Sequence, residues 1–509
     1  MMAAQRQDGG RSVTLSWLMD GLVQVPANLE RQITGVTLDS RAVTPGSLFI
    51  ALPGTQTHGL EFARDALNRG AVAIVHSEEL AVARSLRELQ SAAVPVLAVA
   101  DLAANAGVIA SRFFGASSES LCLIGVTGTD GKTSVSHLLA QVLDSDPAHC
   151  GLLGTLGYGR VGDLQPFGLT TPDAVTLQAR LAEFAGAGLG HAVMEVSSHA
   201  LAQHRIAGCR FALAVLTNLG RDHLDYHGDL DAYAQAKARL FRAPDLDAVV
   251  LNLDDPFSAT LLGGLTGATR VFGYSLTQAV VPGVITLHAA HVTASTDGIE
   301  MELAERFAGQ RLQAPLLGDF NALNVLAVAT ALLALEWSMP RIAAALASCR
   351  AIPGRMEKVA TALPGNVIVD YAHTPQALQR ALSALRPLTT GKLFCVFGCG
   401  GDRDRGKRPL MGAVAETHAD RVIVTDDNPR GEDPGAIVAE ILGGMRHPEL
   451  AQVRQPRDLA IRGALQQAVA GDCVLIAGKG HEPYQLIGER RLAFDDRVVA
   501  CELARELSA

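Results

Sequence analysis

Short apolar runs that break off abruptly in polar, glycine-rich clusters set the pattern of this chain. LCLIGV (121–126) runs into TGTDGKTS, HAVMEV (191–196) into SSHA, FALAVL (211–216) into TNLGRDHLDYHG, and AVVLNL (248–253) into DDP. Further on, NVIV (366–369) meets DYAHTP, LFCVF (393–397) meets GCGGDRDRGKR, RVIV (421–424) meets TDDNPR, and CVLI (473–476) meets AGKGHE. Continuous β-rich runs are what strands covered on both sheet faces look like. Helical spacing lies between them, as in SVSHLLAQVL (134–143) and AVTLQARLAEFA (174–185). The alternation predicts an α/β fold with parallel sheets, whose ligands gather at the carboxyl ends of the strands. Two breaks, near 102–118 and at AIPGRMEKV (351–359), predict three domains: 1–107, 108–351 and 352–509.

Composition narrows the classes. The 509 residues carry 43 Lys+Arg against 52 Asp+Glu, a formal charge of −9, and only 5% are aromatic. That balance excludes a general nucleic-acid or anionic-membrane binder, and stacking platforms for bases are not expected. Eight scattered cysteines without a CxxC pair read as small buried hydrophobes, not a disulfide framework. The start, MMAAQRQDGGRSV, lacks the apolar core of a signal peptide. The longest apolar stretch, 322–335, falls short of the roughly 20 residues that span a bilayer. The expectation is a soluble, cytoplasmic protein.

The most specific chemistry is GVTGTDGKTS (125–134), placed after a strand and before a helix as a phosphate-binding loop must be. Gly125, Gly128 and Gly131 let backbone N–H groups converge on phosphate oxygens, Lys132 supplies charge, and the Thr133 hydroxyl can ligate Mg²⁺. Five residues separate Gly125 from Gly131, where the standard pattern has four. Glu195 and His223, near the ends of two other strands, can hold a divalent ion beside the phosphates; equally, they can be a capping Glu and a surface His. Lys237, inside a helical segment, reads from the residues alone as a solvated helix lysine. Arg403, Arg405, Lys407, Arg408 and Arg430 crowd strand ends in the last third and suggest a site for an anionic substrate, with acidic neighbours to balance them or bind an amine.

These residues resemble the Mur ligases of bacterial peptidoglycan synthesis. The matching motifs run in order along nearly the whole chain: TLDSRAV (37–43), GVTGTDGKTS (125–134), LTTPD (169–173), EVSSHAL (195–201), TNLGRDHLDYHG (217–228), GDFNALN (318–324), PGRME (353–357), DYAHTP (370–375), GCGGDRDRGKRPLMG (398–412), DDNPR (426–430) and AGKGHE (477–482). The resemblance implies an N-terminal domain for a UDP-linked substrate, a central P-loop ATPase domain with a parallel-rich sheet, and a C-terminal Rossmann-like domain for the amino acid. It implies that ATP phosphorylates the side-chain carboxylate of a D-glutamate residue in UDP-N-acetylmuramoyl-L-alanyl-D-glutamate. An incoming amine then attacks the acyl phosphate.

By motif, the resemblance assigns Leu38, Ser40, Thr55, Gln56, Thr57, Thr170, Thr171, Ser197, Gln203 and Arg205 to the UDP-muramoyl dipeptide. Leu169 stands where the family usually has Asn, and Asp130 where Asn is common. ATP contacts fall to Gly128, Thr129, Asp130, Gly131, Lys132, Thr133 and Ser134, with Asn321, Asn324, Arg355, Asp370 and His373. Thr133, Glu195 and His223 match metal ligands for Mg²⁺. Lys237 matches a lysine carried as a carbamate, which adds a further anionic ligand. Catalytic roles thus fall to Lys132, Glu195, His223 and Lys237.

Arg403, Asp427, Asn428, Pro429, Arg430, Gly478 and Glu482 match the amino-acid pocket. Arg430 in DNPR marks the version that takes meso-diaminopimelate over L-lysine, the two differing by one carboxylate that Arg suits. The expected partners are these small molecules alone, with no nucleic acid, no membrane insertion and a monomeric chain. The alternatives are a lysine-adding ligase of the same family, a ligase like folylpolyglutamate synthetase, and a P-loop nucleotide switch that makes no amide.

Overall fold

The computed structural model describes residues 11–54, 57–78, 89, 94–265, 267–277, 281–361 and 363–508. All eight apolar runs form strands that pair in parallel, with ends shifted by at most two residues from the sequence pattern. The chain divides into two compact units, Met1–Gly273 with Pro282–Ile285, and Tyr274–Val281 with Thr286–Ala509.

Besides the short antiparallel pair Val13–Thr14 and Gln32–Ile33, the first unit holds two sheets that frame the site. Near the N-terminus, Gly35–Thr37, Ser47–Ala51, Ala71–Ser77 and Val96–Val99 lie side by side, all parallel. Alternation sorts their side chains to two cores: Leu48, Ile50, Ala73 and Val75 pack on the helix Leu102–Phe114, and Phe49, Ala51, Ala71 and Ile74 pack on the other face. The larger sheet runs Cys150–Gly154, His191–Glu195, Cys122–Thr127, Leu213–Leu216, Ala248–Asn252. A hairpin, Gly157–Arg160 and Asp163–Gln165, continues it beyond Cys150–Gly154. Two of its helices start on acidic caps. The Asp173 carboxylate accepts from the N–H groups of Val175 and Thr176 to open Ala174–Gly186, and Asp229 accepts from Ala232 N–H to open Leu230–Phe241.

The second unit carries the antiparallel meander Ile285–Ser295, Gly298–Leu303, Arg311–Ala314 and the helices Asn321–Ala334 and Met339–Ala347. Its six-stranded sheet runs Glu357–Val359, Asn366–Asp370, Cys473–Ala477, Leu393–Phe397, Arg421–Val424, Gln452–Val453, antiparallel only at the first pair. Ile368, Cys395, Phe397, Val424 and Leu475 feed one core. Their neighbours Val367, Val369, Phe394, Val396, Ile423, Val474 and Ile476 feed the other. Both faces are apolar because both are covered by helices, which is why the runs show no alternation. No helix among the described residues is long and apolar enough to cross a membrane.

One buried ion pair ties the carboxyl ends of this sheet together. Arg457, on the helix Arg457–Gln467, donates to both oxygens of Asp496 at 2.7 and 2.8 Å, and neither side chain reaches solvent. The same guanidinium donates to the carbonyls of Asp426 (3.0 Å) and Ala477 (2.9 Å). Removing one partner strands the other charge in the core, so Arg457→Met should lower unfolding stability by about 3–5 kcal/mol in urea titrations. The double variant Arg457→Met/Asp496→Leu, which leaves no orphan charge, should recover most of that loss.

Candidate active site

In the first unit, the strand Cys122–Thr127 delivers the chain into the loop 128–131, and the helix Lys132–Asp144 begins at once. Gly128 is required by space: a Cβ there would meet the Thr217 hydroxyl and the Asn218 backbone. Lys132 folds back over the loop, its Nζ donating to the carbonyls of Gly128 (2.9 Å) and Thr129 (2.8 Å). Thr133 Oγ1 donates to Glu195 Oε2 at 3.0 Å. Glu195 ends its strand only 2% exposed, and it also accepts from Thr155 N (2.8 Å, to Oε1) and Thr155 Oγ1 (3.1 Å, to Oε2). Gly154 leaves the room for that carboxylate, since a Cβ would run into it. Hard oxygen donors at the mouth of a phosphate loop are the chemistry Mg²⁺ takes, so Thr133 and Glu195 fit such an ion.

Lys237 overturns the reading of a solvated helix lysine. It is 1% exposed, with Nζ donating 2.7 Å to the Gly128 carbonyl and lying 4.4 Å from the Tyr233 ring centre. Burial, and then the charge of Lys132, hold its pKa well below that of an ordinary lysine. His223 sits on the loop before Leu224–His227, half exposed and 3.3 Å from Asp222, with its ring 4.7 Å from that of His199.

Five of the residues matched to the dipeptide, Thr170, Thr171, Ser197, Gln203 and Arg205, form one linked set. Thr170 Oγ1 meets Thr155 Oγ1 at 3.1 Å; Thr171 Oγ1 donates to the Glu195 carbonyl and accepts from Ser197 N. Arg205 donates to the Thr171 carbonyl and to Gln203 Oε1, and Gln203 reaches the Tyr226 hydroxyl. Leu169, in the family's Asn position, is 52% exposed. Ser40 donates to Asp65 in the N-terminal sheet region, and Leu38 lies partly buried against the N-terminal core. Thr57 is exposed, and Thr55 and Gln56 lie outside the described residues.

In the second unit, Asp370 caps its own strand end, accepting from Met356 N (2.7 Å) and Ala372 N (2.8 Å). Burial raises its pKa against the opposing pull of Arg355. The Arg355 guanidinium lies 4.5 Å from the Tyr371 ring centre, and His373 bonds the Tyr371 carbonyl. Asn321 and Asn324 are buried and bonded to each other at the start of their helix.

The basic cluster predicted at 403–408 splits on inspection of its partners. Arg408 is fully buried and paired with Glu432 and Glu440, and Arg405 pairs with Glu440. These two are structural and leave the anion-site set. The pairing also pulls the Glu432 carboxyl down to about 2. Lys407 donates to the His373 carbonyl.

Arg403 and Arg430 remain without a carboxylate partner among the described residues, and both lie over Gly400, where a Cβ would press on the Arg430 guanidinium at 2.8 Å. Arg430 Nη1 donates to the Gly401 carbonyl at 2.8 Å. Asp427 faces Gly478, whose φ of +116° and missing Cβ admit the Asp427 carboxylate. Asn428 and Glu482 are joined at 2.9 Å, and Pro429 is buried between Asn428 and Arg430.

Sequence reasoning missed three contributors. Thr155 follows Cys150–Gly154, a strand whose short GLLG run gave little β signal. The Tyr233 hydroxyl meets Thr129 Oγ1 at 3.0 Å, a contact between distant segments that no local pattern encodes. Lys479 stands inside a quoted motif, but only its complete burial singles it out.

A glycine-rich loop between parallel strand and helix, with a buried carboxylate at its mouth, makes this an α/β nucleotide-binding protein of the P-loop class. The models for the Mur ligase family, catalytic domain, the Mur ligase middle domain, and the Mur ligase, glutamate ligase domain match residues 32–114, 126–332 and 354–480. The chain belongs to the Mur ligase family. It is 50% identical over 471 residues to the UDP-N-acetylmuramoyl-L-alanyl-D-glutamate–2,6-diaminopimelate ligase of Alkalilimnicola ehrlichii, covering 92% of this chain and 94% of that one. The enzyme of the same name from Pseudomonas putida is 45% identical over 477 residues, covering 92% and 94%. A solved structure of a ligase of this name superposes with a TM-score of 0.73 at 36% identity, covering 98% of this chain and all of the other. The MurF ligase of Thermotoga maritima in complex with ADP shares the fold, with a TM-score of 0.59 at 17% identity over 95% and 98% of the two chains.

The buried Lys237 amine has a testable pH signature. Its folded pKa is depressed, so between that value and the unfolded value of about 10.4 the unfolded chain binds more protons. Stability therefore rises with pH across that window. In CO₂-free buffer, the wild-type stability advantage over Lys237→Met should grow as pH rises through it. A difference that stays flat with pH would show that the amine is not desolvated.

Proposed function

We propose that this chain is an ATP-dependent amide ligase that joins meso-2,6-diaminopimelate to the D-glutamate side-chain carboxylate of UDP-N-acetylmuramoyl-L-alanyl-D-glutamate. It acts as a soluble monomer in the cytoplasm, where ATP and UDP-linked precursors are found. The observation that carries the choice of amino acid is Arg430, a guanidinium without a carboxylate partner, directed over Gly400 beside Arg403 and next to the Asn428–Glu482 pair. Two cations and a carboxylate on neighbouring strand ends match a ligand bearing a distal carboxylate and ammonium. Lysine lacks that distal carboxylate. The names of the relatives at 50% and 45% identity support the same reading.

A carboxylate is a poor electrophile because its leaving group would be oxide. Transfer of the γ-phosphoryl group from ATP turns one carboxylate oxygen into a phosphate leaving group. The attacking amine, as its neutral form, then adds to the carbonyl carbon; the tetrahedral adduct expels phosphate and loses a proton to give the amide. Lys132 exchanges its bonds to the loop carbonyls for the phosphates, following the charge as it shifts between them. Gly128–Gly131, with Thr133 and Ser134, bind the triphosphate; Asn321, Asn324, Arg355, Asp370 and His373 serve the remainder of the nucleotide. Mg²⁺, held by Thr133, Glu195 and His223, would offset phosphate charge during transfer. Thr170, Thr171, Ser197, Gln203 and Arg205, with Leu38, Ser40 and Thr57, orient the UDP-muramoyl dipeptide.

A neutral, buried Lys237 amine is the form that reacts with CO₂, forming an N–C bond and releasing a proton. The resulting carbamate replaces a potential cation by an anion beside the phosphate loop, and it is the further metal ligand in this reading. Incubation with ¹³C-bicarbonate should give a carbamate carbon resonance that Lys237→Met abolishes.

The deciding assay measures phosphate release with ATP, Mg²⁺ and the UDP-muramoyl dipeptide, adding meso-diaminopimelate or L-lysine and identifying each product by mass. Turnover with diaminopimelate alone is expected. Turnover with lysine would retain the family and overturn the specificity, and ATP hydrolysis without amide would point to a nucleotide switch. Arg430→Ala should weaken use of diaminopimelate by about 2–5 kcal/mol in kcat/KM.

A further inference from the structure

Beneath the amino-acid pocket lies a lysine to which none of these roles has been given. Lys479 follows Gly478 at the end of Cys473–Ala477 and is fully buried. Its Nζ donates to Asn428 Oδ1 at 3.1 Å and to Glu482 Oε2 at 3.2 Å, and it lies 5.6 Å from the Tyr484 ring centre. Asn428 Oδ1 also accepts from Leu486 N at 2.9 Å. With two donors aimed at the amide oxygen, the amide nitrogen can only face Glu482, where it donates to Oε2 at 2.9 Å. Glu482 therefore has one oxygen saturated by Lys479 and Asn428. Its Oε1 receives no hydrogen bond from the described residues.

We propose that Lys479 is a positioning residue for amino-acid selection: its buried ammonium locks the Asn428 amide and pins Glu482 Oε2, so that Oε1 is presented to the ammonium group of the incoming diamino acid. This rests on the pocket assignment made above. An ammonium serves here because it can donate to both neighbours while neutralising the carboxylate that it orients. A neutral side chain of the same length would leave the Asn428 amide oxygen held by Leu486 N alone and Glu482 Oε2 held by Asn428 alone, a single bond about which the carboxylate can turn. The effect should reach the diamino acid alone, since neither Asn428 nor Glu482 belongs to the nucleotide or dipeptide sets.

The test compares wild type, Lys479→Met, Glu482→Gln and the double variant, with KM measured separately for meso-diaminopimelate, ATP and the UDP-muramoyl dipeptide. Lys479→Met should raise KM for diaminopimelate about tenfold or more and leave the other two within about twofold. Because Lys479 acts through Glu482, the double variant should be no worse than Glu482→Gln alone. An unchanged KM for diaminopimelate, a parallel decline of all three constants, or additive losses would overturn the proposal. Should Lys479→Met fail to fold, the double variant decides, since it leaves no unpaired buried charge. There, a KM equal to that of Glu482→Gln sustains the proposal; a tenfold higher one, or failure to fold, assigns Lys479 to the core. Wild-type protein that makes no amide with diaminopimelate overturns the functional reading, and this inference falls with it. Active wild type with an indifferent Lys479→Met overturns this inference alone.

Discussion

Parallel strands all release their last peptide groups along the same sheet edge, where the ladder can no longer satisfy them. The two larger sheets of this chain solve that problem with side chains, and the loops that carry the chemistry are built on the result. Thr127 Oγ1 donates to the Val196 carbonyl, Thr217 Oγ1 to the Asp130 carbonyl, and Asn252 Nδ2 to the Thr217 carbonyl. In the other sheet, Arg457 takes the Asp426 and Ala477 carbonyls, and Asp370 takes two N–H groups of the chain around it. A peptide group left bare at such an edge would cost about 1–3 kcal/mol, so these caps are as much a part of the fold as the apolar layers. They also place Gly128, Glu195, Asp427 and Gly478 at fixed points, which a free loop would not.

The two edges handle buried positive charge in opposite ways. Arg457 and Lys479 are both removed from water and both meet a carboxylate, Asp496 and Glu482. Lys237 is just as deeply buried but meets a peptide carbonyl, with a second ammonium, that of Lys132, on the same oxygen. A buried cation without a counter-ion gives up its proton before it gives up its solvation. Pairing fixes geometry, and deprotonation creates a nucleophile. The first outcome suits residues that hold a geometry, and the second suits the carbamylation proposed for Lys237.

Much of this was legible beforehand, and the gaps share a cause. Runs such as LFCVF and RVIV are strands because both faces are covered, and their ends point to the polar clusters that follow. Cys150–Gly154 escaped because its glycines, which make room for Phe184 and Glu195, erase the β-branched signature. Charge was harder to read than hydrophobicity. Arg408 and Arg403 look alike in GDRDRGKR, yet one is sealed between Glu432 and Glu440, which are 24 and 32 residues further along, and the other has no such partner. Lys237 and Lys479 likewise look like any surface lysine until the fold surrounds them. Periodicity reports which face is covered; it does not report which distant side chain covers it.

Arg430 shows what that long-range information adds. Its φ of +51° is a left-handed conformation that costs a non-glycine residue roughly 1–2 kcal/mol. The strain is held by the backbone on both sides: Arg430 N donates to the Leu486 carbonyl at 3.0 Å, and Gly488 N donates to the Arg430 carbonyl at 2.7 Å. The same turn aims the guanidinium over Gly400, where only a glycine leaves space for it. A strained backbone, a missing Cβ and a cation without a carboxylate converge on one point, and none of them stabilises the fold. Each is accounted for if an anion completes the site, and in the proposed function that anion is the carboxylate at the far end of the diamino acid.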